Sequence, residues 1–321
     1  MTNVLILGGT GWLSGRIAAK WVASGARVSC LGRGSRPAPA GAALVQGDRD
    51  NARVYDSLAR QEWDEVVDVT SVAWHAEQAV AALGESTAHW SYVSSVSVYA
   101  DDVKVSADES APLHLPAHVG DEYEYGPQKS ASERAVSTLG ERASVIRPGL
   151  IVGAGDTSDR FGYWAAAFER AGTEPVLVPP REGRKAQVID VEDLADYVVA
   201  MNANGPVNAV GNVFDLGDVL DRVRAVSGHT GEVISGTDEW LTEQGVSHWA
   251  GEHSLPLWLP PDVPGFMTRS NARYLASGGV LSALDDTIVR VREDERARGI
   301  DRERRAGLTR ADEQRLLQTL R

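Results

Sequence analysis

The segment Val4-Leu5-Ile6-Leu7-Gly8-Gly9-Thr10-Gly11-Trp12-Leu13-Ser14-Gly15 joins an apolar run, a glycine-rich turn and the start of an amphipathic stretch. A short apolar run closed by glycine reads as a buried strand, and the apolar spacing from Trp12 to about Ser24 reads as a helix. A second β-rich run, Arg27 to Leu31, completes a βαβ unit. In such a unit Gly8 permits the tight turn, and Gly11 lets the backbone come close to a pyrophosphate. The helix behind it offers N–H groups and a partial positive charge, so Thr10, Trp12 and Leu13 join the two glycines as expected cofactor contacts.

Strands are expected again at Ala43 to Gln46, Glu65 to Val69, Trp90 to Ser94 and Ser144 to Arg147. Helices are expected near Ala52 to Arg60, Ala73 to Leu83 and Pro127 to Leu139. Strands alternating with helices imply an α/β fold with a doubly wound parallel sheet of the Rossmann type. That domain is expected over residues 1–155, completed by about 186–203, with a smaller substrate-binding region at 156–185 and 204–283. Pro256, Pro260, Pro261 and Pro264 exclude a long helix or central strand from Glu252 to Gly265, which is expected to be a surface excursion. Residues 284–321 are densely charged and helical in propensity; a solvated terminal helix pair is expected, with Thr309 capping its second member.

Composition narrows the function classes. The chain has 321 residues, 43% hydrophobic and 24% charged, so a folded globular protein is expected. Lys and Arg total 32 against 45 Asp and Glu, a net charge of -13, so neither nucleic acid nor a membrane surface is an expected partner. An anionic small molecule must instead meet a local cluster. Cys30 is the single cysteine, which excludes an intrachain disulfide and suits a reducing cytoplasm, and no Cys/His spacing resembles a metal site. No signal peptide is expected from Met1-Thr2-Asn3, and no run of 18 apolar residues supports a membrane span.

Tyr125-Gly126-Pro127-Gln128-Lys129 places a phenol and an ammonium one helical turn apart on one face. A neighbouring cation and a helix N-terminus favour phenolate, which makes proton exchange with a hydroxyl or ketone feasible. Upstream, Val93-Ser94-Ser95-Val96-Ser97-Val98-Tyr99 is a β-rich segment that ends in hydroxyls, as expected at the carboxyl end of a central strand. An acid after the second strand would select NAD. Here Gly32-Arg33 stands instead, so Arg33 is expected to meet a 2'-phosphate and NADP is the preferred cofactor, with NAD possible. His75, Cys30 and Trp258 read first as structural residues, and Arg160 as a weaker candidate for an anionic group.

Together these motifs resemble the extended short-chain dehydrogenase/reductase superfamily of the NAD-dependent epimerase/dehydratase type, over roughly residues 3–200. The family's turn repeats glycine every third residue; here its third position is Ser14, and Gly15 follows one place late. The resemblance assigns the catalytic serine to Ser95, beside Tyr125 and Lys129, an adenine contact to Asp48, and the nicotinamide border to Arg147-Pro148-Gly149, hence Pro148. It implies hydride transfer between nicotinamide and the hydroxyl or ketone of a sugar or nucleotide-like metabolite, or else an epimerase that keeps its cofactor. A dehydratase is disfavoured because Val96-Ser97 stands where that subgroup carries Asp-Glu. The resemblance also implies a homodimer through the helices near Ala73 to Leu83 and Pro127 to Leu139. A dinucleotide sensor without catalysis is the alternative from another class.

Overall fold

The computed structural model describes residues 1–201 and 203–320. The chain divides into two compact units, each assembled from separate stretches. The first contains Met1–Leu150, Glu192–Gly211 and Arg269–Val280; the second contains Ile151–Val191, Asn212–Thr268 and the chain from Leu281.

The first unit begins with β1 (Asn3–Leu7), α1 (Trp12–Ala23), β2 (Arg27–Gly32), β3 (Ala43–Gln46) and β4 (Trp63–Asp68). It continues through α2 (Ala73–Leu83), β5 (Thr87–Val93), α3 (Tyr125–Ser137) and β6 (Ala143–Pro148), and is completed by α4 (Val191–Ala200) and β7 (Gly205–Ala209). Seven strands lie in the order β7-β6-β5-β4-β1-β2-β3. Every neighbouring pair is parallel, with Leu7 opposite both Leu31 and Asp68. Chain order reverses between β1 and β4, the place where open α/β sheets leave a crevice at their carboxyl edge. Val4 to Leu7 lie fully inside, which explains a continuous apolar run rather than an alternating one. Leu5, Leu7, Leu31, Trp63, Trp90, Tyr92 and Val136 share one core cluster.

The helix expected at Ala52 to Arg60 is reduced to a single 3₁₀ turn, Ala52–Tyr55. Asn51 caps it through Arg53 N–H, and Trp63 Nε1 donates to the Leu58 carbonyl at 3.0 Å. The chain must turn back within a few residues to enter β4, so Tyr55 and Leu58 are buried from a turn. The segment expected at about 186–203 consists of a strand, Lys185–Asp190, followed by α4.

In the second unit the helices Arg160–Ala171, Leu216–Ser227, Leu284–Arg298 and Arg310–Leu320 accompany short sheets. Two expectations fail here. The proline-rich segment is not simply a surface excursion: Leu255, Leu257 and Trp258 are core residues, and Trp258 Nε1 donates to Asp238 Oδ1 at 2.7 Å. Nor are the terminal helices merely solvated. Glu295 and Glu313 are buried in them, Glu295 accepting from Arg302 and Arg304 and Glu313 from Arg310 and the Leu177 amide. Asp159, in left-handed backbone, accepts from Arg298, Arg302 and the Arg305 amide. Arginines that read as a solvent face are the counter-charges of buried acids. Among the described residues no helix is long and apolar enough to cross a membrane.

Inside the first unit, Arg147 of β6 forms a two-pronged pair with Glu133 of α3, Nε to Oε1 at 2.9 Å and Nη2 to Oε2 at 2.6 Å. Both residues are buried, and Arg147 also donates to the Tyr99 hydroxyl at 3.0 Å. Removing the acid leaves a buried cation short of its partner. Glu133→Ala is therefore expected to lower the unfolding free energy by about 3–5 kcal/mol, measured by urea denaturation; a loss under about 1 kcal/mol would show that the Tyr99 hydroxyl and the Glu109 carbonyl, to which Arg147 Nη1 also donates at 3.3 Å, suffice.

Candidate active site

Every residue expected to touch the cofactor lies at or just beyond the carboxyl end of a strand of the parallel sheet, apart from those on α1 and α3. After β1, Gly8 adopts φ +85°, and its N–H donates to the Leu31 carbonyl at 2.9 Å. A Cβ on Gly9 would fall 2.6 Å from Cys30 Sγ, so only glycine lets the turn press against β2. Ser14, at the place of the third glycine, closes the turn: its hydroxyl donates to the Gly8 carbonyl at 2.6 Å and accepts from the Gly11 N–H at 3.1 Å. Gly15 has no such constraint, since the nearest atoms to its added Cβ are 3.9 Å away. Thr10 packs against Gly32, and Trp12 and Leu13 open α1, whose first turn contains no acid. A glycine-walled turn leading into an acid-free helix start fits a dinucleotide pyrophosphate.

Arg33 is exposed beyond β2, and the Gln46 side chain donates to its carbonyl at 3.2 Å. Asp48, exposed beyond β3, accepts from the Asp50 amide at 3.1 Å. Beneath it, Arg49 is buried and pairs with Asp68 at the end of β4 through contacts of 2.6 and 2.8 Å, while also donating to Tyr55 and the His75 carbonyl. His75 Nε2 lies 2.7 Å from Asp50. These contacts join the ends of β3 and β4 to the start of α2.

Beyond β5, the Ser95 hydroxyl accepts from the Ser97 N–H at 3.1 Å and donates to the Ser97 hydroxyl at 3.2 Å, capping the short turn Val96–Val98. Gly126 explains how α3 reaches this turn: a Cβ there would lie 2.5 Å from the Ser97 carbonyl and 2.8 Å from His114 Cδ2. Tyr125, the first residue of α3, is 43% exposed, and Lys129 one turn later is 2% exposed. Lys129 Nζ donates to the carbonyls of Thr70 and Val93, both at 2.7 Å, and lies 5.9 Å from the centre of the Tyr125 ring. Burial pulls its pKa down to about 7, against the Asp68 and Glu133 carboxylates, which favour the charged form. Pro148 closes β6 and is buried. Ser95, just beyond β5, and Tyr125 and Lys129, on α3, thus stand at the edge that holds the glycine turn, a placement suited to moving a proton next to a bound dinucleotide.

Sequence reading missed the two carbonyls that hold Lys129, and Tyr92 beside it. A carbonyl leaves no mark on the sequence, and Tyr92 reads as an ordinary strand aromatic. No cluster of metal-binding side chains is found among the described residues.

The profile of the NAD dependent epimerase/dehydratase family matches residues 4–217. No curated protein matches the chain significantly. Among solved structures, a Burkholderia cenocepacia J2315 protein described as a candidate epimerase is similar, with a TM-score of 0.71, 19% identity, and coverage of 92% of this chain and 98% of its own. The Bordetella bronchiseptica enzyme WbmH in complex with NAD+ is similar at TM-score 0.69 and 16% identity, over 92% and 99% of the two chains. A UDP-glucose 4-epimerase of Thermotoga maritima with UDP-glucose is similar at 0.68 and 15%, with the same coverage of 92% and 99%.

If Ser14 holds the turn, Ser14→Ala should weaken dinucleotide binding about tenfold, the scale of two neutral hydrogen bonds. Gly15→Ala should change it less than about twofold, because a Cβ there makes only ordinary van der Waals contact, 3.9 Å from the Gly9 carbonyl and Pro39. Fluorescence titration with NADPH and NADH measures both; equal affinity in Ser14→Ala and the wild type would show that the glycines alone shape the turn.

Proposed function

Because the chain belongs to the NAD dependent epimerase/dehydratase family, enzymes of the extended short-chain dehydrogenase/reductase type, we propose that it is an oxidoreductase acting on the hydroxyl or ketone of a sugar or nucleotide-like metabolite. The observation that carries this reading is the placement of Tyr125 one turn from the buried Lys129 ammonium, with Ser95 on the neighbouring turn. Bound nicotinamide would supply the hydride chemistry. Tyr125 exchanges the proton on the substrate oxygen, the Lys129 cation favours its phenolate, and the Ser95 hydroxyl holds that oxygen in place. Gly8, Gly11 and the start of α1 hold the pyrophosphate, Asp48 meets the adenine side, and Pro148 borders the nicotinamide. The likeness to a UDP-glucose 4-epimerase supports the sugar-like class of substrate.

Arg33 supports a preference for NADP, since Gly32 to Arg36 contains no carboxylate to receive the ribose hydroxyls. The substrate-binding region expected from the sequence is proposed to lie in the second unit. There Arg160 lies 4.9 Å from the Trp249 ring centre, and Trp249 meets Phe266 edge-on. A homodimer through α2 and α3 accompanies this reading. An epimerase that keeps its cofactor is the second reading, favoured by the family description; turnover with the dinucleotide staying bound and undergoing no net oxidation or reduction would select it.

NADPH is expected to bind more tightly than NADH, and Arg33→Ala to remove about 1–3 kcal/mol of that preference, the scale of a charge-assisted hydrogen bond. Wild-type protein that prefers NADH in fluorescence titration would overturn the NADP assignment. With a substrate in hand, Tyr125→Phe is expected to bind the cofactor normally and to lose turnover by about 100-fold or more. Near-normal steady-state rates in that variant would remove Tyr125 from the chemistry.

A further inference from the structure

Lys129 is placed where its charge is expensive. A buried ammonium sheds its proton readily, and burial accounts for a pKa near 7. The amine in its neutral form has two N–H donors and a lone pair; the ammonium has three donors. Two donors are already directed at the Thr70 and Val93 carbonyls. A third donor, available to an acceptor on a bound cofactor, exists only while Lys129 is charged; the neutral amine has a lone pair in its place.

The groups around Lys129 fall into two sets. Asp68 on β4 and Glu133 on α3 favour the cation, and Arg49, beyond β3, opposes it. Asp68 is already engaged by Arg49, and both oxygens of Glu133 by Arg147. Two aromatic rings complete the surroundings: Tyr125 on α3, with its ring centre 5.9 Å from Nζ, and Tyr92 on β5, closer at 4.9 Å. Tyr92 is fully buried, and its hydroxyl donates at 2.9 Å to the same Thr70 carbonyl that Lys129 uses. Burial pushes the Tyr92 phenol well above its ordinary range, so this donor keeps its proton and the ring stays neutral. The electron-rich face of an aromatic ring attracts a cation within about 6 Å, and more strongly where water is excluded.

We propose that Tyr92 is a positioning residue for the reaction: its ring keeps the Lys129 ammonium charged, and its hydroxyl fixes the Thr70 carbonyl on which that ammonium rests. The two contributions are separable in one side chain. Phenylalanine keeps the ring and loses the anchor, whereas methionine fills a similar volume and loses both. The consequence for catalysis rests on the function proposed above, but the ionisation of Lys129 can be measured without it.

The chain has only four lysines, Lys20, Lys104, Lys129 and Lys185, so protein labelled with ¹³C at lysine Cε gives a spectrum simple enough to titrate. Lys129→Met identifies the resonance of interest. Tyr92→Met is expected to lower the Lys129 midpoint by about one pH unit, as loss of a buried cation–π contact requires. Tyr92→Phe should leave it within about 0.3 unit, while weakening dinucleotide binding at every pH because the Thr70 anchor is gone. Should Tyr92→Met fail to fold, pentafluorophenylalanine at position 92 keeps the ring's shape and inverts its charge distribution, and should lower the midpoint at least as far. An unchanged midpoint in the methionine or pentafluoro variant would overturn the proposal, as would a shift in Tyr92→Phe equal to that in Tyr92→Met. Dinucleotide affinity followed on the same samples keeps the two ideas apart: wild-type protein that binds no dinucleotide defeats the oxidoreductase reading, whereas the midpoints alone decide the role of Tyr92.

Discussion

The carboxyl edge of the sheet depends on where one ammonium finds its acceptors. Lys129 reaches down from α3 to the carbonyls just beyond β4 and at the end of β5, so one side chain joins a helix to two neighbouring strand ends. Carbonyls that leave a parallel ladder need a new donor when they are buried. Supplying it from the residue four places after Tyr125 fixes the first turn of α3 against the Ser95 segment. Gly126 supports the same approach from the other side, because its missing side chain is the space occupied by the Ser97 carbonyl and the His114 ring. The position of Tyr125 is therefore set by backbone contacts made by its neighbours.

Much of this was legible in the sequence because the first unit is periodic. The run Val4 to Leu7 ends in a glycine turn, and the strand at Ala43 to Gln46 and helix at Ala73 to Leu83 have the limits that apolar spacing predicts. Spacing fails where tertiary geometry overrides it. The stretch after Asn51 has helical periodicity, yet the return to β4 leaves room for a single turn. Proline excludes regular elements but says nothing of burial, so Trp258 could be core within a segment that looks like a surface loop. The site was legible through side chains with distinctive chemistry: Ser95, Tyr125, Lys129 and the glycines. What holds them was not. Carbonyl acceptors are common to all residues, and the role of Ser14 requires the knowledge that its hydroxyl reaches back to Gly8.

Net charge is a poor guide to local electrostatics in this chain. The balance of -13 is compatible with a pyrophosphate turn because the attraction there comes from backbone dipoles and a helix start without acids. In the second unit many arginines are bound to carboxylates, among them Arg290 to Asp190, Arg292 to Glu169 and Arg304 to Glu295. Such pairs contribute little net energy when exposed and are costly to break when buried. Their effect is to specify how the terminal helices seat, since each buried acid accepts only a guanidinium that arrives from the right direction.

The interleaving of the two units has a consequence at the ribosome. β7, which closes one edge of the parallel sheet, is encoded after the first stretch of the second unit, so β6 leaves the exit tunnel well before the strand that will cover it. An uncovered β6 offers free backbone groups to any extended chain nearby. The buried acid Asp159 likewise waits for Arg302, which follows it by more than a hundred residues. Neither unit is complete until chain from beyond the other's first stretch has been made, and a nascent chain stalled between residues 150 and 205 would leave the β6 edge unpaired.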